Sequence, residues 1–350
     1  MGDIHFTSAI ADFDRQQFDA LDRTAGFASS YSRLLQKERD ARWSSRYLEW
    51  TDGSRLRAAI PVYRSRMKAW PDPGYDPRSW GLPDGAGDGC SPEATLMVGG
   101  CGDRRTGLHV DPDATPGQLH GLLIELARLA AEEERCLAFP YVYTEARNVL
   151  AAASHDRIVW TGLGREAHMF GLSDPRWESG LPSKVRNTIH RDRRKIAAVP
   201  MAVSRERWDE VSAWAAELIS LHYAGKGTSE RPEFVDLRYS ELQENPDIDL
   251  FVFTAQSSGI RGVQTIVAWE DELEVYDVGL DGEEGGERFA LYVNLLFQLP
   301  FAYARARGID HVRLGAKAET PKAARGAVFQ DYHGGVLSAV ETRRFARGEA

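Results

Sequence analysis

Asp277 lies in the segment ELEVYDVGL, where strict alternation would set Leu273, Val275, Asp277 and Gly279 on one strand face and Glu274, Tyr276 and Val278 on the other. A carboxylate among apolar neighbours loses solvation, which suits it to take a proton from an incoming ammonium as a general base. The plainer alternative is a carboxylate that bonds backbone at a bulge or edge. Tyr276 on the opposite face is a substrate contact in this reading. Gln264, alternating with Ile266 in GVQTIVAW, could bond a substrate amide or serve the strand itself. His222 closes the stretch RERWDEVSAWAAELISLHYA and precedes YAGKGTSERP. It is a second proton acceptor by type, or a histidine favoured by a helix C-terminus.

Positive charge is concentrated in LPSKVRNTIHRDRRKIAA, Leu181 to Ala198, although the chain has 43 basic against 52 acidic residues and a formal net charge of -9. Leu181, Val185, Ile189 and Ile196 form one helical stripe, with Ser183 placed to cap its start. Lys184, Arg186, Arg191, Arg193, Arg194 and Lys195 fall mainly off that stripe. They make either a solvated face or a platform for phosphates through charge-assisted contacts. Further on, Lys322 and Arg325 lie three apart and can face one way from a helix. With Lys317 they could hold phosphate or carboxylate, or simply answer Glu319.

No Ser–His–Asp elbow, Walker loop or Cys/His zinc pattern is present, and no metal site is expected. Cys90, Cys101 and Cys136 lack ligand spacing and suit a reducing compartment. Such a sequence favours a reaction that needs positioning and a base, as in attack of an amine on an ester or thioester.

The elements that must position these residues follow from pattern. The spacing predicts a helix over 29–39, then a hairpin in which RYLEW and RLRAAIPVY flank Asp52-Gly53. WPDPGYDPRSWGLPDGAGD, from Trp70 to Asp88, reads as a loop that cannot bury a core and borders a cleft. A strand ATLMVGG, a helix opened by Thr115-Pro116 and a strand CLAFPYV complete the first half. The second half reads as strand VPMAVS, the helix ending at His222, and an antiparallel meander of LFVFTAQ, GVQTIVAW and ELEVYDVGL. After the loop DGEEGGE come a helix over Arg288–Arg307, a strand HVRLGA, a helix start TPKAARG and a last strand in AVFQDYHGGVLSAV.

Helix, antiparallel meander, long helix and strand is the order of the GNAT acyltransferase fold. Two such units separated by L..K.R..I.R..RK resemble the Fem-type transferases of peptidoglycan precursor synthesis and related double-GNAT proteins. LGAKAETPKAARG is similar to a segment near the end of those proteins, with Gly315, Ala316, Glu319, Lys322, Arg325 and Gly326 at the matching positions. The resemblance implies transfer of an acyl or aminoacyl group onto an amine, with aminoacyl-tRNA or acyl-CoA as co-substrate and no tightly bound cofactor. A CoA-binding loop would carry glycines at the start of the long helix. DGEEGGERF has Asp281, Glu283, Glu284 and Glu287 there, and HVDPDATPGQ in the first half is also acidic. These loops favour the tRNA donor. The coiled-coil arm found in some Fem proteins is absent.

The expectation is therefore an α+β chain of two tandem GNAT-like units, each a mixed, mostly antiparallel sheet flanked by helices. They are placed at 1–154 and 183–350, joined by a linker at 155–182, with the active cleft in the second. The acceptor is a small-molecule or peptidyl amine, and tRNA is met by the basic helix 183–198. The longest uncharged run, Phe289–Ala304, has 16 residues and is shorter than the ~20 a membrane span needs. With no signal-peptide order at the N-terminus, a cytoplasmic location is expected.

Overall fold

The computed structural model describes residues 2–21, 24–225 and 230–349. The chain forms two compact units, Met1–Gly164 with Asp331–Ala350, and Arg165–Gln330. Unit 1 begins with β1 (Asp3–Thr7), α1 (Arg15–Asp19), α2 (Tyr31–Glu38), β2 (Trp43–Asp52) and β3 (Arg55–Ser65). It continues through β4 (Thr95–Val98), α3 (Pro116–Glu132), β5 (Cys136–Tyr143) and α4 (Thr144–Ala153), and leaves in β6 (Val159–Met169). Unit 2 holds α5 (Trp177–Gly180), α6 (Ser183–Ala197), β7 (Ala202–Glu206), α7 (Trp208–Ala224), α8 (Pro232–Gln243), β8 (Asp249–Ser257) and β9 (Ile260–Trp269). It then runs through β10 (Glu272–Leu280), α9 (Gly286–Val293), α10 (Leu299–Arg307), β11 (His311–Ala316) and α11 (Glu319–Ala323). Finally β12 (Val328–Leu337) returns the chain to unit 1, which ends in α12 (Ala339–Ala346).

In unit 1 the strand order is β1-β2-β3-β4-β5-β12. The β2–β3 hairpin turns at Gly53, whose φ of 61° is one that glycine adopts at little cost. One sheet face packs Leu48, Trp50, Ile60 and Phe139 against Leu122, Leu126 and Ala127 of α3. The other face is aromatic, and here an expectation fails. Trp70, Tyr75 and Trp80 of the Gly/Pro-rich loop are buried with Trp43, Tyr63 and Tyr141. Trp80 Nε1 and the Tyr141 hydroxyl both donate to the Gly74 carbonyl at 2.9 Å. Three large rings supply the apolar area that the loop's average composition lacks.

In unit 2 the order is β6-β11-β10-β9-β8-β7. The meander β8–β9–β10 is antiparallel, while β10 and β11 pair in parallel over Glu272–Glu274 and His311–Arg313. One face packs Phe251, Ile266, Leu273 and Val275 against Leu291, Leu295, Phe297 and Phe301. The helix predicted over Arg288–Arg307 contains a π turn at Asn294–Gln298. Pro300 lacks the N–H that an α-helix would send back to Leu296, which accounts for the break. The opposite face carries buried Trp208 of α7 and Tyr239 of α8, with ring centroids 4.7 Å apart.

The units differ from the division 1–154, 155–182 and 183–350. The expected linker contains β6 and α5. Residues 331–350 join unit 1 because β12 pairs with β5 from Tyr332↔Tyr143 to Leu337↔Leu137, and Phe345 of α12 enters the α3 core. Strand β1 and helix α8 had no counterpart in the sequence reading. Among the described residues, no helix is long and apolar enough to cross a membrane.

Candidate functional site

The candidate site in unit 2 is built on a bulge. In the β9–β10 ladder Val275 opposes Ile266 and Val278 opposes Gln264, so Tyr276 and Asp277 together face Thr265. The extra residue reverses the alternation beyond Val275. Val278 and Leu280 therefore pack with Leu273 and Val275, whereas Gly279 faces Leu218 and Ile219 of α7. The period-two assignment that put Asp277 beside Leu273 and Val275 is corrected by this bulge.

Asp277 instead meets α7 and α8. Its Oδ1 accepts from the Tyr223 hydroxyl. Its Oδ2 accepts from Arg238 Nη2 at 2.6 Å and from the Tyr239 hydroxyl at 2.6 Å. Thr265 Oγ1 accepts from the Asp277 N–H at 2.9 Å and donates to Tyr239 at 2.8 Å, tying the bulge to α8. Arg238 also holds Glu230 at 2.7 Å. Burial and the neighbouring Asp277 raise the pKa of Tyr223, and the same causes raise that of Tyr239, so both phenols remain protonated donors. Burial opposes the charge of Arg238, but Asp277, Tyr239 and Glu230 outweigh it and raise its pKa.

Gln264 is fully buried and its Nε2 donates to the Thr265 and Asp277 carbonyls, both at 3.1 Å. It clamps the bulge from the opposite side of the sheet. Tyr276 is half-buried and meets Tyr239 edge to face at 6.5 Å. His222 lies in the last turn of α7, next to Tyr223, the residue of that turn that reaches Asp277. The loop after α7 falls partly at Lys226–Ser229, outside the described residues.

The basic segment is helix α6, but its N-cap is Pro182, and Ser183 is the first helical residue. Arg186 Nη1 donates to the Ser179 carbonyl at 3.3 Å and to that of Leu181. Arg193 bonds Glu178 through both terminal nitrogens at 3.0 and 2.6 Å, and His190 reaches the same carboxylate at 2.7 Å. Lys184, Arg191 and Arg194 are exposed and make no ion pair or side-chain hydrogen bond among the described residues. Lys195 lies over the Phe289 ring at 4.5 Å.

Lys322 and Arg325 both turn inward. Lys322 Nζ donates to the Gly315 and Ala316 carbonyls at 2.8 and 3.0 Å, beside Lys317 and Ala318 with φ of 64° and 49°. It thus braces a left-handed turn that costs energy for residues with a Cβ. Arg325 lies 2.8 Å from Asp192, with both side chains buried, and over Phe297 at 4.5 Å. The single acid of the basic segment is thereby explained: Asp192 fastens α6 to the residues after α11.

The loop before α9 is less repulsive to anions than its composition suggests. The Asp281 carboxylate accepts from the Arg261 backbone N–H, and Glu287 accepts from Ser257. Glu283 and Glu284 remain exposed beside a helix start at Gly285 that has no side-chain cap. Tyr223, Arg238, Tyr239 and Thr265 were not singled out from sequence. For Arg238 and Tyr239 the signal was helical spacing in PEFVDLRYSELQ, which puts Val235 and Tyr239 on one buried stripe. Among the described residues, no cluster of three His, Cys, Asp or Glu could hold a metal ion.

No family model matches the sequence, and no characterised protein matches it in sequence. Solved structures do match. FemX superposes over 99% of this chain and 100% of its own, with a TM-score of 0.65 at 10% identity. A tandem GNAT protein from the clavulanic acid biosynthesis pathway, solved without AcCoA, covers 96% of this chain and 99% of its own, with a TM-score of 0.56 at 14% identity. A conserved protein of unknown function from Bacteroides thetaiotaomicron covers 95% and 99%, also with a TM-score of 0.56 at 14% identity. At these identities the likeness is one of fold, and the chain has the tandem GNAT fold.

Proposed function

We propose that the protein is an acyltransferase that forms an amide between an activated acyl or aminoacyl donor and an amine, with the chemistry carried by unit 2. The observation that carries this reading is Asp277, held at a strand bulge by two tyrosine hydroxyls and Arg238. The parallel ladder of β10 with β11 covers Glu272–Glu274, while β10 continues to Leu280 along β9. Beyond Glu274 the two strands share no ladder pairs, and in this reading the donor carbonyl lies there, against the bulge backbone. The amine lone pair attacks that carbonyl, the C–N bond forms, and the C–O or C–S bond to the leaving group breaks. The amine proton passes to the Tyr223 oxygen as the Tyr223 proton moves to Asp277, and the leaving alcohol or thiol finally takes one away. His222 is the second base candidate from the same turn.

Aminoacyl-tRNA is the preferred donor, with an acyl thioester as the alternative. Support comes from the unpaired Lys184, Arg191 and Arg194 on α6 and from exposed Glu283 and Glu284 where a CoA pyrophosphate would bind. In this reading Arg186, Arg193, Lys322 and Arg325 position the loop and helix that carry the site. The acceptor is an amine of a peptidoglycan precursor or a specialised metabolite. Purified protein is incubated with labelled aminoacyl-tRNA and, separately, labelled acetyl-CoA, each with a panel of amines. Transfer from tRNA is expected. Label lost from neither donor would sink the enzyme reading and leave a GNAT-fold binding module. A Lys184→Ala/Arg191→Ala variant should weaken tRNA binding and flatten its salt dependence.

A further inference from the structure

Unit 1 carries a cavity of about 420 Å³ at the end of β3, far in sequence from the candidate site residues of unit 2. Its lining includes Arg64, Arg66, Lys68, Ser44, Ser65 and Glu93. Arg64 lies near the end of β3, and Arg66 and Lys68 follow where the chain leaves the strand and bends, with the Met67 N–H donating to Ser65 Oγ at 3.1 Å. All three are exposed, in a protein of net charge -9, and against Glu93 they leave a surplus of two positive charges. Ser44, which pairs with Arg64 across the β2–β3 ladder, adds a hydroxyl at the same wall.

The surplus is not dissipated nearby. An adjoining cleft shares Ser44 and Arg64 and adds Arg46 and Glu133. Glu133 is already engaged, by Arg46 at 3.2 Å and by Arg135 at 2.8 Å. Burial, and then repulsion from Arg64, lowers the pKa of Arg135, so these like charges press on one another with no ligand bound. A cluster of this kind weakens the folded protein unless an anion visits it.

We propose that this cavity binds the diphosphate group of a small anion such as a nucleoside diphosphate. Two guanidinium forks match phosphate oxygens in bidentate fashion, the lysine adds a point charge, and Ser44 adds a hydroxyl donor. The volume falls in the range of small-ligand sites, roughly 300–1,000 Å³. The charge surplus balances a diphosphate and exceeds what a single carboxylate needs. The inference rests on unit 1 alone and stands whether or not unit 2 performs acyl transfer.

The full-length protein is titrated calorimetrically with inorganic pyrophosphate and, in parallel, with ADP. Saturable binding of one ligand per chain is expected, weakening as salt rises. Arg64→Ala/Arg66→Ala should lower the affinity for both by about tenfold or more, as loss of charge-assisted bonds entails. Its thermal midpoint should not fall, because both side chains are exposed and their removal relieves repulsion among the cations. Tighter binding of ADP than of pyrophosphate would assign part of the site to the nucleoside, and equal binding would assign it to the diphosphate alone. Undiminished binding in the Arg64→Ala/Arg66→Ala variant overturns the proposal. So does binding that is lost in Lys184→Ala/Arg191→Ala instead, which would place the ligand on α6. A short single-stranded RNA that binds where neither small anion does, and is released by the same double substitution, overturns it in favour of an RNA surface.

Discussion

Asp103 of unit 1 and Asp277 of unit 2 both lie close to the strands that flank their unit's long helix, and the two are held in different ways. In unit 1, Asp103 is paired with Arg33 and Lys37, both at 2.7 Å. Burial opposes its charge, but the two cations prevail and hold its carboxyl far below the usual range. In unit 2, Asp277 is held by two hydroxyls and one guanidinium. The helix starts differ as well. Helix α3 opens with Thr115 and Gln118 in a reciprocal cap and Pro116 at its first turn, whereas α9 opens at Gly285 with no side-chain cap. Charges that cancel one another make a structural joint. Proton-bearing groups around a carboxylate are the basis on which unit 2 is proposed to hold the site.

The sharpest way to break that contrast is to neutralise each acid in turn. Asp277→Asn should cut turnover on the order of 10³-fold, within the span of lost general-base catalysis. Asp103→Asn should leave turnover per folded molecule unchanged. Single-turnover rates measured beside denaturation curves separate the two. A fully active Asp277→Asn enzyme, or an equally crippled Asp103→Asn enzyme, would erase the division of labour between the units.

The same Asp103 substitution should instead appear as stability. Removing it leaves Arg33 and Lys37 without their shared counter-ion in a site only 6% exposed at the carboxylate, which costs ~3–5 kcal/mol. Denaturant midpoints should fall accordingly for unit 1, and a loss under about 1 kcal/mol would show that the triad is better solvated than its geometry implies.

A smaller effect distinguishes the units in acid. Glu272 of unit 2 is buried, which raises its pKa, but His311 and Arg313 outweigh burial and bring it to about 2. Its folded pKa lies below the ordinary glutamate value of 4.5, so protons favour the unfolded chain. The stabilisation, about 3 kcal/mol from the difference, is present above pH 4.5 and is lost as pH falls toward 2. Asp103 is held lower still, so unit 1 keeps its ion pair to more acidic pH. Hydrogen exchange on descending pH should therefore loosen unit 2 first, and Glu272→Gln should abolish the change in that window.

Much of this organisation was legible in the sequence. Asp52-Gly53 set the hairpin because a left-handed turn residue there leaves few alternatives, and the three meander strands were found almost to the residue. The apolar stripe of α6 was also visible. What was hidden depends on contacts distant in sequence. The bulge at Tyr276–Asp277 has no local signature, yet it decides which face Asp277 occupies. Arg238 and Tyr223 approach from helices 39 and 54 residues away, and residues 331–350 join unit 1 through pairing with β5. Lys322 and Arg325 drew attention as charges, but a charge pattern does not tell whether the partner is a ligand, a carbonyl or Asp192.

The smallest predicted effect concerns the two helix starts. Thr115→Ala should cost about 1 kcal/mol, because Thr115 Oγ1 accepts the Gln118 N–H. Gly285→Ser should change stability by only a few tenths of a kcal/mol, since glycine is itself a tolerated N-cap. Its backbone is extended at φ 175°, which serine adopts freely, and no atom lies within 4 Å of an added Cβ. The new hydroxyl would nevertheless cap the first turn of α9 and compete for the N–H groups a donor phosphate would use. An enzyme that binds its donor there should show a raised donor KM with kcat preserved, the mark of lost ground-state binding. If Gly285→Ser leaves the donor KM unchanged, the open start of α9 is no more a binding site than the sealed start of α3, and the contrast between the units narrows to Asp103 and Asp277.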